Sequence, residues 1–90
     1  GRDMTPAARR IGELLSRERR AAGYTVGELA ALAFVERREI RQRADGEHYG
    51  APRRTVALIR LCRASYGTLE HAEALALSIH RQRVSSRGDG

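Results

Sequence analysis

The chain predicts an all-α domain of five helices, and three observations point there. Apolar residues recur at intervals of three and four along most of its length. Hydrophobic residues make up 41% of the chain but aromatics only 4%, so the core must be built from Leu, Ile, Val and Ala. Ala and Leu are strong helix formers. No alternation of Val, Ile and Thr is long enough to propose a sheet. Ninety residues allow one domain, expected over residues 5–80. A domain of this size buries a modest share of its surface, so its helices must pack tightly. Residues 81–90 are Arg, Ser and Gly with little to bury, and a disordered basic tail is expected there.

Thr5-Pro6 opens the first helix: Thr suits the N-cap, and Pro suits the first helical position, where its missing N–H has no partner to lose. Ala8, Ile11, Leu14, Leu15 and Ala22 form its apolar stripe, and Gly23 stops it as a left-handed residue. Thr25 and Glu28 fit a capping box, with Tyr24 and Leu29 placed as a hydrophobic staple. The second helix then runs from about Val26 to Leu32, weakened by Gly27 by about 1 kcal/mol relative to Ala. Ala30 is small either for a close helix crossing or for simple propensity. Phe34 falls in a turn, and Val35 plugs the core as the third helix begins.

The third helix is expected from Glu36 to Ala44, with Ile40 inward and Glu36, Arg37, Arg38, Arg41 and Gln42 outward. Arg43 lies three residues after Ile40, near the core side, where its stem can cover apolar surface with the head in water. Asp45-Gly46 marks a turn. A fourth helix is expected from Arg53 to Tyr66, with Val56, Ile59, Cys62 and Tyr66 on its inner face, Leu58 widening it, and Gly67 as its C-cap. Thr68 caps a fifth helix whose stripe is Leu69, Ala72, Leu75, Ala76 and Ile79, with Leu77 off it. That stripe either closes the monomer's own core or, through Leu75, Leu77 and Ile79, pairs with a second copy to make a homodimer.

The net charge is +6, and all 17 basic residues are Arg. This excess reads either as an electrostatic footprint for a polyanion or as the amino-acid bias of a GC-rich genome. Cys62 is alone, so no intramolecular disulfide forms, which favours a reducing, cytoplasmic setting. No apolar run approaches the ~20 residues of a membrane span, and no signal segment opens the chain. Gly1 to Asp3, ahead of Met4, are set aside as a cloning remnant. His48, His71 and His80 show no paired metal spacing, and Cys62 on an apolar helix face is a core residue rather than a nucleophile. No phosphate loop, catalytic Ser motif or carboxylate pair stands out, so an enzyme, a metal and a cofactor are not expected.

Two short helices joined by a tight turn, from Thr25 to Asp45, are similar to a helix-turn-helix. With Ile11-Gly12-Glu13-Leu14-Leu15, Arg20-Ala21-Ala22-Gly23-Tyr24-Thr25, Glu28-Leu29-Ala30, Val35, Ile40 and Asp45-Gly46, the chain from about Ala8 to Tyr66 resembles the Cro/CI repressor (XRE) type. The resemblance implies a five-helix, lambda-repressor-like bundle, with the helix-turn-helix at helices two and three. A narrower branch, the cytoplasmic domain of the bacterial cell-shape protein RodZ, is also similar; there the fold contacts an actin-like filament. Val26 stands where the family often has Gln, Arg43 where it is usually apolar, and Glu39 and His48 where the RodZ-like branch tends to be aromatic.

The repressor resemblance implies double-stranded DNA as partner and a bacterial transcriptional regulator as the function. The third helix would then lie in the major groove. Arg37, Arg38 and Arg41 can each donate two bonds to guanine, Glu36 can accept from cytosine N4, and Gln42 can read adenine. Thr25, with the helix N-terminus behind it, is a candidate phosphate contact, as are Arg53 and Arg54. The bland alternative for the third helix is a solvated face whose Glu36 and Glu39 pair with nearby Arg. The RodZ branch implies a protein-interaction adaptor, and a module bound by a protein inhibitor is a third possibility.

Overall fold

The computed structural model describes residues 5–47 and 50–88. Gly1 to Asp3, His48 and the last two residues of the expected tail therefore lie outside the described residues. Among those described, all regular secondary structure is helical: α1 (Pro6–Ala21), α2 (Val26–Ala33), α3 (Arg37–Ala44), α4 (Pro52–Leu61) and α5 (Tyr66–Gly88). None of these helices is long and apolar enough to cross a membrane.

The first helix starts as its sequence requires. Thr5 Oγ1 accepts from the Ala8 N–H at 3.1 Å, and Pro6 takes the first position. Ile11, Leu14 and Leu15 are buried, but Ala22 is exposed as the C-cap, about two turns past the buried stripe. The Gly23 N–H then donates to Arg20 O and the Tyr24 N–H to Arg19 O, with Gly23 left-handed at φ 81°. This pair of bonds is a Schellman stop, which satisfies two carbonyls that the helix leaves over. The α1 backbone crosses the end of α3 at Gly12. A Cβ there would stand 2.5 Å from Ala44 O and 2.6 Å from Arg43 O, so only hydrogen fits.

The core gathers Ile11, Leu14, Leu15, Leu29, Ala30, Ile40, Val56, Leu58, Ile59, Cys62, Ala72, Ala76 and Ile79, with Tyr24, Val26, Val35, Leu69 and Leu75 packed against it. Among the described residues no aromatic is fully buried; aliphatic side chains and Ala fill the space between helices. Helix α5 packs on α1 and α4, while α1 also touches α3, and α2 touches α3 and α4. Burial pushes the Cys62 thiol above its ordinary range, with Glu18 adding to the effect.

Three expectations are corrected. The fourth helix ends at Leu61, not Tyr66. Arg63 is left-handed at φ 59° and turns the chain, so Gly67 is no C-cap. Ser65 then caps the fifth helix in place of Thr68: its Oγ accepts from the Thr68 N–H at 3.2 Å, and its carbonyl accepts from the Leu69 N–H. Tyr66 becomes the first residue of α5 and is 77% exposed instead of facing the core. The second correction is the tail. Helix α5 continues through Arg81 to Gly88, and Arg83 Nη1 donates to Gly50 O at 2.6 Å, which ties that end to the loop before α4.

The third correction is Arg43. It does not reach for water; it is 4% exposed. Its Nε donates to Glu39 Oε2 at 3.1 Å, and its Nη1 donates to Ala51 O at 2.9 Å and Thr55 Oγ1 at 2.8 Å. Burial lowers the guanidinium's pKa from its very high ordinary value, against the pull of the adjacent Glu39. A cation can sit inside because it faces the Glu39 carboxylate and donates through Nε and Nη1. Among the described residues no buried side-chain N or O lacks a partner.

Candidate functional site

The two helices expected to carry the site are joined by residues 34–36. Helix α2 begins with the full capping box: Thr25 Oγ1 accepts from the Glu28 N–H at 3.0 Å, and the Thr25 N–H donates to Glu28 Oε1 at 2.8 Å. Glu36 is the N-cap of α3, though its side chain makes no capping bond. Ile40 is fully buried and fixes the rotation of α3. The 100° step per residue then decides which arginines meet solvent.

Arg37, Arg38 and Arg41 are exposed, as is Glu36, and Gln42 is half-buried. Among the described residues none of these three arginines forms an ion pair. Arg37 is placed by α2. Its guanidinium lies over Gly27, 3.0–3.2 Å from where a Cβ would be, so the glycine that weakens α2 also makes room for it. Arg41 lines a groove with Arg19, Val26 and Asp45, between α1, α2 and α3.

Glu39 is where the outer face meets the buried joint. Its Oε2 accepts from Arg43 Nε at 3.1 Å and forms an ion pair with Arg54 Nε, also at 3.1 Å. Arg54, a candidate phosphate contact, is therefore paired to α3, while its neighbour Arg53 is exposed on the first turn of α4. Sequence reasoning missed the double role of Glu39, because the partner Arg54 lies fifteen residues on and no local spacing announces it. Thr25 is exposed at the α2 N-terminus, but the Glu28 carboxylate already occupies the position an anion would take there. The hydroxyl keeps its own proton for donation.

The fifth helix divides the expected dimer residues. Ile79 is buried in the monomer's own core and Leu75 packs against it, so only Leu77 of the three faces solvent. Val84, seven residues on, shares its side of the helix and is also exposed.

The larger concavity, of about 530 Å³, is lined chiefly by the polar side chains Arg10, Glu13, Ser16, Arg17, Arg20 and His71. Small-molecule pockets are mostly apolar, so the exposed face of α3 is the stronger candidate site. Among the described residues no group of three or more His, Cys, Asp or Glu is arranged to hold a metal. No protein-family profile, no curated protein and no solved structure matches this chain.

Proposed function

We propose that this chain is a sequence-specific DNA-binding transcriptional regulator of the Cro/CI type, with α3 entering the major groove. The observation that carries the reading is the sorting of arginines on α3. Arg43 is buried and bonded, while Arg37, Arg38 and Arg41 stand in solvent without an acidic partner among the described residues. Unpaired guanidiniums on one short helix suit the O6 and N7 edge of guanine. Glu36 and Gln42 extend the readout to cytosine and adenine. Arg53 contacts phosphate directly, Arg54 does so by exchanging Glu39 for a phosphate oxygen, and the Thr25 hydroxyl donates to one at the edge of the site. Base contacts set specificity, and phosphate contacts set affinity and register.

The test is selection from a randomised duplex pool, followed by a salt titration of the selected site. The expected result is affinity that falls steeply with salt and a selected duplex bound at least ~10³-fold tighter than a scrambled one. Equal affinity for the two would overturn the reading. The alternative is a RodZ-like adaptor for a cytoskeletal or other protein partner. Leu77 and Val84, exposed on one side of α5, favour a protein contact there, including a second copy of the chain. Sedimentation equilibrium separates these: a monomer at high concentration removes the homodimer.

A further inference from the structure

Helices α1, α2 and α3 end with the same two backbone bonds. The residue just past each helix turn donates three residues back: Gly23 to Arg20, Phe34 to Ala31 and Gly46 to Arg43. The next residue donates five back: Tyr24 to Arg19, Val35 to Ala30 and Glu47 to Gln42. In each case the first of the two is left-handed, with φ 81°, 57° and 75°. Two of the three stops use glycine, which adopts this conformation freely. The third uses phenylalanine, whose Cβ crowds the following carbonyl.

Burial does not compensate for that strain. Phe34 is 94% exposed, the most exposed large hydrophobic of the chain among the described residues, and Leu32 beside it is about half exposed. Within the monomer this residue is thus unfavourable twice, in backbone and in hydration. Strain and an exposed ring at one position, with no gain inside the fold, point outward to a ligand. Phe34 lies three residues before Arg37, a span of at most about 11 Å of chain. A ligand gripped by the start of α3 therefore lies within the ring's reach, and it must accept cations and a flat apolar group side by side. In the major groove the apolar feature of the base edges is the C5-methyl group of thymine.

Building on the DNA reading above, we propose that Phe34 is a specificity-determining residue, its ring packing on a thymine methyl at the edge of the site read by the N-terminal turn of α3. Replacing thymine by deoxyuridine removes that methyl and leaves the hydrogen-bonding edge intact. The experiment measures the Kd of the wild type and of Phe34→Gly for the selected duplex and for copies carrying deoxyuridine at each thymine in turn. Glycine suits the left-handed position, so the variant keeps the fold. The wild type should lose about fourfold at one thymine, the value of one buried methyl. Phe34→Gly should lose nothing at that substitution and keep the salt dependence of the wild type. Specific binding with no methyl effect in the wild type, the same effect in Phe34→Gly, or a selected site without thymine overturns this proposal alone. A ring that serves an acidic protein partner instead gives the first of these results. Absence of any sequence-selective binding overturns the DNA reading and this proposal with it.

Discussion

Arg43 and Arg38 lie five residues apart on one short helix and share a side chain, yet their surroundings are opposite. Arg43 is nearly inaccessible and holds Glu39, Ala51 and Thr55. Arg38 is in water with no ion-pair partner among the described residues. The inner contacts of α3 fix the helix against α1, α2 and α4, whereas on its outer face Arg38 and Arg41 have no ion-pair partner among the described residues. Residue type alone therefore says little about an arginine; its angle around the helix, set by the buried Ile40, says most.

The comparison breaks most visibly on its inner side. Arg43→Ala removes three hydrogen bonds, leaving Thr55 and Ala51 O without this donor and Glu39 without one of its two arginines. The expected loss is about 3–4 kcal/mol of stability, read by urea denaturation. Gly12→Ala drives a methyl against the Ala44 and Arg43 carbonyls, and because backbone must move the loss is about 2–3 kcal/mol in the same measurement. On the outer side, Arg38→Ala should leave the denaturation midpoint unchanged. It should weaken binding to the selected duplex by about 1–3 kcal/mol and relax specificity at one base pair. Smallest is Phe34→Gly, which relieves the left-handed strain and exposes nothing new, for a gain of about 0.5–1 kcal/mol in stability. A destabilised Phe34→Gly would mean that the ring packs on the monomer after all.

Local signals were legible and distant ones were not. The capping box at Thr25 and Glu28, the Pro6 start and the Gly23 stop depend on neighbours within a few residues, and all three appear where the spacing places them. The exposure of Glu36, Arg37, Arg38 and Arg41 is legible from an inward Ile40, whereas Gln42, expected outward, is half-buried. Local spacing makes Arg43 look like a snorkelling side chain because its partners Ala51 and Thr55 lie eight and twelve residues away. The border between α4 and α5 was misplaced because Gly67 and Thr68 look like a stop and a cap. Ser65 caps three residues earlier, and Arg63, a poor candidate by composition, takes the left-handed turn. Helix α5 continues past Arg81, where Arg83 reaches back to Gly50, a contact 33 residues away in sequence that periodicity cannot register.

The geometry at Arg43 restricts which cation the joint accepts. Its Nε points to the carboxylate of Glu39, while Nη1 reaches in another direction to a carbonyl and a hydroxyl. A lysine carries one nitrogen at the end of a flexible stem and cannot span both directions at once. In a chain without a single lysine, this position therefore requires a planar, two-pronged side chain for its shape, whatever makes arginine abundant elsewhere.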